Sequence, residues 1–203
     1  MAGGIAAPSA RAAEPFKIVV LGDSLTAGYG LSAAEGVVPR LQAALAKNGI
    51  AVEIVNAGVS GDTASDGLAR LDWSVPQRTQ GVILELGAND ALRGTDPAVT
   101  RAALSDIVGR LKARGIAVLL CGMLAPRNLG ADYARTFDPM FPELAKTHDA
   151  VFYPFFLDGV VADSKLNQGD GLHPTAAGVD VIVAKILPKV EELIARVRAK
   201  RGT

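Results

Sequence analysis

Five short runs of apolar, largely β-branched residues, at 16–21, 52–55, 82–86, 116–120 and 151–153, constrain this chain more than any other feature. A strand with one wet face alternates polar and apolar side chains, whereas runs this continuous are expected of strands buried on both faces. Between the runs lie segments of helical period, at about 37–48, 63–72, 97–114, 133–147 and 175–199. Asp96-Pro97 offers the third of these an N-cap and a proline at its first position, and Gly115 a stop. Strand and helix alternating five times predicts an α/β domain with a parallel sheet covered by helices on both faces.

At 203 residues the chain suits a single domain able to bury about 70% of its unfolded surface. No repeat, low-complexity tract or linker follows residue 15, so residues 16–203 read as that domain. Residues 1–15 are small and flexible in character and contain Ala10-Arg11-Ala12, an A-x-A pattern of the kind signal peptidase cleaves. They are expected to be a signal-peptide remnant, which would put the protein in the periplasm or outside the cell; the alternative is a plain N-terminal tail on a cytoplasmic protein. No run reaches the roughly 18 apolar residues of a spanning helix, so no integral membrane segment is expected.

Composition removes several kinds of function. Twenty-one basic residues balance 21 acidic ones, which leaves no overall field to hold a nucleic-acid backbone. One cysteine excludes a disulfide framework and cysteine-rich metal sites, and two histidines exclude a multi-histidine one. Imidazole chemistry must use His148 or His173, and no metal or cofactor is expected.

Ligands of an open parallel sheet bind beyond the carboxyl ends of its strands. The first run is followed there by Gly22-Asp23-Ser24-Leu25, the second by 56–62, including Gly61, and the third by Gly87-Ala88-Asn89-Asp90. Near the C-terminus comes Asp170-Gly171-Leu172-His173-Pro174, in which Pro174 fits the first position of a helix. Asp170 is close enough to reach the His173 imidazole, as a carboxylate must to orient a base. Alone, that motif reads as readily as a helix cap.

Ser24, on a turn after a buried strand, is either a nucleophile or an N-cap. Thr26 stands where a second glycine would complete G-x-S-x-G, so the α/β-hydrolase elbow is not matched. Acyl transfer also needs donors aimed at an oxyanion, which the Gly61 N–H and the Asn89 amide could supply.

Together these blocks resemble the SGNH (GDSL) hydrolase superfamily, most closely its branch of arylesterases and multifunctional acyl-CoA thioesterase/lysophospholipases. The similarity runs from about Lys17 to Leu193, through 56–71, 84–95 and 126–130, in family order. It implies a three-layer α/β/α fold with a flavodoxin-like five-stranded parallel sheet. It further implies Ser24 as nucleophile, His173 as general base, Asp170 as its orienting carboxylate, and an oxyanion hole built from the Ser24 and Gly61 N–H groups with the Asn89 side chain. One departure is Val38, before Pro39, where close relatives usually carry tryptophan.

On the substrate side the candidates are Asp23, Asn128 and Trp73, the last in a loop-like segment, 71–76, near the expected site mouth, where it reads as core filler or as a wall of the acyl pocket; Asp23 and Asp90 are also placed to hold their loops through backbone hydrogen bonds. His148, at a helix end, and Cys121, at the end of an apolar run, are expected to be structural, and 196–201 to complement a helix terminus. The leading expectation is an esterase for short-chain or aryl esters with a small-molecule substrate and no nucleic-acid partner. Its alternatives are a thioesterase or lysophospholipase, a carbohydrate esterase, and a non-catalytic anion- or nucleotide-binding module. The Walker lysine and G-x-G-x-x-G are missing, which weakens the last. Ten aromatic residues are few for a sugar-binding cleft.

Overall fold

The structure is a computed structural model that describes residues 15–201. The expected signal-peptide remnant therefore lies, but for residue 15, outside the described residues.

The five apolar runs form strands β1 (Phe16–Gly22), β2 (Val52–Gly58), β3 (Gly81–Glu85), β4 (Ala117–Cys121) and β5 (Val151–Tyr153). All pair in parallel, in the order β2-β1-β3-β4-β5. The central strands β3 and β4 are buried throughout, as unbroken apolar runs require. β1 and β2 run further than the apolar pattern, into Gly22 and Gly58, because the parallel register continues through that glycine pair.

The helices are α1 (Ser24–Ala27), α2 (Val37–Lys47), α3 (Ala64–Ala69), α4 (Leu71–Ser74), α5 (Ala88–Leu92), α6 (Pro97–Ala113), α7 (Ala131–Phe137), α8 (Met140–Thr147) and α9 (Ala176–Arg201). α2 and α9 pack together against the sheet, and α3, α6 and α8 form the other layer. Helix α2 buries Val37, Val38, Leu41 and Leu45, a spacing that puts one stripe on the core; Val38 is at home in that stripe. Helix α6 starts as its sequence signals: Asp96 accepts from the Ala98 N–H at 2.9 Å, with Pro97 at the first position.

Three expectations are corrected. The helical pattern at 133–147 is two helices, parted where Pro139 lacks an N–H and crowds the preceding turn. The pattern at 63–72 also divides, at Arg70, whose guanidinium turns inward to Asp62, Ser74 and Gly22. Pro174 does not begin a helix. It forms an isolated bridge with Asn167, and the Thr175 hydroxyl caps α9 by accepting from the Gly178 N–H at 3.3 Å.

The order of the strands decides where a ligand can sit. From β1 the chain moves outward to β2, then crosses back to β3 on the other side of β1. The loops leaving β1 and β3 therefore part in opposite directions and open a crevice above the sheet. Ser24 and Asn89 stand on those two loops.

Candidate active site

Ser24 is the first residue of α1, but it is not the cap. Asp23 takes that role, accepting from the Leu25 N–H at 3.0 Å, which leaves the Ser24 hydroxyl to face the crevice. Its Oγ lies 2.8 Å from His173 Nε2, across 149 residues of chain. His173 Nδ1 lies 2.6 Å from Asp170 Oδ2. The carboxylate accepts from Nδ1–H, so Nε2 keeps its lone pair for the serine proton. The other Asp170 oxygen accepts from the His173 and Leu172 N–H groups at 3.0 and 2.9 Å. Those backbone bonds, with the imidazole, lower the Asp170 pKa to about 2. The Tyr29 ring lies against the imidazole, centroids 4.5 Å apart.

Behind the serine are groups with no access to solvent. Asp23 and Glu85 are both fully buried, with the Asp23 N–H directed at Glu85 Oε2 at 3.4 Å. Burial raises the Asp23 pKa to about 6, against the Leu25 N–H, His173, Asn89 and Glu85, which lower it. Burial and the Asp23 charge push Glu85 well above the usual carboxylate range. Two carboxylates this deep cannot both ionise, so Glu85 holds the proton. The turn above them must be glycine: a Cβ on Gly22 would fall 2.4 Å from Thr26 Oγ1 and 2.7 Å from Glu85 Oε2.

Asn89 is the second residue of α5, whose N-cap is Gly87 at φ 114°. Its amide nitrogen donates to Asp23 Oδ2 at 3.1 Å and to the Asp62 carbonyl at 3.0 Å, so the NH₂ edge is held from both sides. Asp62 is itself anchored by Arg70 at 2.5 Å. Gly61 adopts φ 89°, and its carbonyl accepts from Arg93. Ser24, Gly61, Asn89 and His173 all line one cleft of about 1210 Å³. Its walls are mostly apolar, among them Leu25, Met123, Leu124, Phe155 and Leu172.

The substrate-side candidates fare differently. Asp23 is among the residues lining the cleft, yet it is fully buried beneath the serine and its carboxylate oxygens accept from the Leu25 N–H and the Asn89 amide, so it also serves as a support. Trp73 is 75% exposed and Asn128 is exposed on the 3-10 turn Arg127–Leu129; neither lines the cleft, although Arg127 and Gly130 do. Asp90 is a support too, accepting from the Ala64 N–H at 2.9 Å and the Thr100 hydroxyl at 3.0 Å. His148 bonds Ser105 at 3.0 Å, away from the cleft, and Cys121 is buried. Glu85, Arg70, Tyr29 and Gln168 were not anticipated. A lone acid in an otherwise apolar strand was the available signal for Glu85; the others carry none.

Among known proteins, residues 20–181 match the model of the GDSL-like lipase/acylhydrolase family. Similar curated proteins include esterase TesA of Pseudomonas aeruginosa, 36% identical over 178 residues, covering 87% of this chain and 89% of that protein. An arylesterase of Vibrio mimicus is 38% identical, over 82% of this chain and 84% of its own. Thioesterase 1/protease 1/lysophospholipase L1 of Escherichia coli is 35% identical, over 91% and 88%. Among solved structures, AlinE4, an SGNH-hydrolase family esterase, is 45% identical with a TM-score of 0.75, over 90% of this chain and 98% of that one. That of TesA reaches a TM-score of 0.83 at 36% identity, over 87% and 99%. The chain belongs to the GDSL-like lipase/acylhydrolase family. It is a carboxylic ester hydrolase with the α/β fold of SGNH hydrolases, which removes the non-catalytic anion-binding alternative.

Proposed function

We propose that the chain hydrolyses short-chain or aryl carboxylic esters through an acyl-enzyme on Ser24, with His173 as base and then acid, and Asp170 as its orienting carboxylate. The observation that carries this reading is the continuous contact from Ser24 Oγ through both imidazole nitrogens to Asp170, at 2.8 and 2.6 Å. Ser24 Oγ attacks the ester carbonyl as Nε2 takes its proton; the tetrahedral intermediate collapses as that proton passes to the leaving alcohol. Water then repeats the sequence on the acyl-enzyme and restores the serine. The Ser24 and Gly61 N–H groups and the Asn89 amide would receive the developing oxyanion, the amide by giving up one of its two present acceptors.

The same residues serve a thioesterase or lysophospholipase, and one observation favours that second reading. At about 1210 Å³ the apolar cleft exceeds the roughly 300–1,000 Å³ of a drug-sized ligand site, so it has room for acyl chains well beyond acetyl. A carbohydrate esterase gains no such support. Tyr29 and Phe155 are the aromatic residues lining the cleft.

Two experiments test the reading. Ser24→Ala should abolish ester hydrolysis while the protein stays folded, and unchanged activity in that variant would overturn it. Initial rates on p-nitrophenyl esters from acetate to palmitate, beside phenyl acetate and an acyl-CoA, decide between the two substrate classes. Among the described residues no helix is long and apolar enough to cross a membrane. The periplasmic or secreted placement is proposed on Ala10-Arg11-Ala12 and is tested by fractionating cells that express the chain.

A further inference from the structure

The proposed nucleophile and base arrive on segments that meet only in the fold. The Asp170–His173 turn organises itself: Asp170 binds the Leu172 and His173 N–H groups, and Gly171 takes φ 69°. None of those bonds reaches Ser24. A hydroxyl–imidazole contact is worth too little by itself to hold two loops in register. Some other group must set the distance.

Gln168 stands where it can. Its backbone N–H donates to the His173 carbonyl at 2.7 Å, closing the histidine segment on itself. Its side-chain Nε2 donates to the Tyr29 carbonyl at 2.8 Å and to the Pro174 carbonyl at 2.9 Å. An amide has two hydrogens, and both are spent, one on each segment. The Tyr29 N–H in turn donates to the Ser24 carbonyl at 3.2 Å, so the Tyr29 end of the bridge is bonded to the nucleophile's own backbone. The Tyr29 ring meanwhile covers His173. Space for the carboxamide comes from Gly30, at φ 73°, where a Cβ would fall 2.1 Å from Gln168 Oε1.

We infer that Gln168 is a positioning residue for catalysis: its carboxamide ties the nucleophile segment to the histidine segment and so fixes the approach of His173 to Ser24. This rests on Ser24 and His173 being the reacting pair. Glutamine suits the position for a chemical reason. Glutamate, of the same shape, would turn a carboxylate oxygen toward two carbonyls, and methionine would fill the space without a donor.

The test compares Gln168→Glu and Gln168→Met with the parent on a p-nitrophenyl ester, alongside the rate of Ser24 phosphonylation by a fluorophosphonate. Misplacing reacting groups by about 1 Å can cost on the order of 10² in rate, so kcat should fall about 10- to 100-fold in both variants. KM should stay within about twofold, since ground-state binding in the cleft is untouched. Phosphonylation should slow in parallel while the final labelled fraction stays complete. A lowered melting temperature with parental kcat, a change confined to KM, or failure of both variants to fold would assign Gln168 to stability or binding and overturn the inference. If the parent enzyme takes no label on Ser24, the underlying reading fails instead; if it does and the variants turn over normally, only this inference fails.

Discussion

The two halves of the site are held by different physics. The Ser24 half is fastened from below: Asp23, Thr26 and Glu85 are fully buried, and Gly22 has no room for a Cβ. The His173 half lies at the surface, on a turn whose Asp170 side chain keeps 39% of its exposure, and short-range backbone bonds give it shape. A change in the first should register in stability as well as rate, because it disturbs the core. A change in the second should register mainly in rate. The two halves also answer pH with opposite sign. Glu85 and Asp23 bind protons more tightly folded than unfolded, so their contribution to stability is greatest in acid and is lost as pH rises through their folded pKa values. Asp170 binds its proton more weakly when folded, so its contribution is present above the ordinary carboxylate pKa and is lost as pH falls toward about 2.

Substitutions can break that contrast. After loss of Ser24 itself, the largest effect is expected at Asn89, which joins the buried half to the cleft. With Asn89 as the proposed oxyanion donor, Asn89→Ala should lower kcat by roughly 10² to 10³, as read by steady-state kinetics. Glu85→Gln comes next: it keeps the shape but removes the retained proton, so the fall in melting temperature from pH 5 to 8 should become shallower than in the parent. An unchanged slope would mean that Glu85 is not the protonated partner. Smallest is Trp73→Ala. With the residue 75% exposed and off the cleft, kcat/KM and stability should stay within about 0.5 kcal/mol of the parent, as for ordinary surface changes.

Much of this was legible in the sequence, for reasons that also explain the failures. The strands were readable because burial on both faces leaves no polar alternation, and Asp96-Pro97 because a cap and an N1 proline are local chemistry. Ser24, Gly61, Asn89, Asp170 and His173 could be picked out as candidates that the fold brings together because each stands in a short block whose order and spacing match one family. What escaped depends on contacts distant in sequence. Glu85 was absorbed into an apolar run, and its protonation follows from burial in the folded core and then from Asp23, 62 residues away. Gln168 belongs to no motif, and its bridge to Tyr29 spans 139 residues. Pro174 was assigned to a helix on local preference, but pairing of its segment with Asn167 overrode that preference. Trp73 was placed near the site by its neighbours in the chain, which say nothing about which way a four-residue helix faces.

The most direct test of the central claim is to treat the protein with a fluorophosphonate and map the adduct by peptide mass spectrometry. A single adduct on Ser24, formed in step with loss of esterase activity and absent from Ser24→Ala, is the predicted result. Full turnover with Ser24 unlabelled, or inactivation by an adduct on another residue, would contradict it.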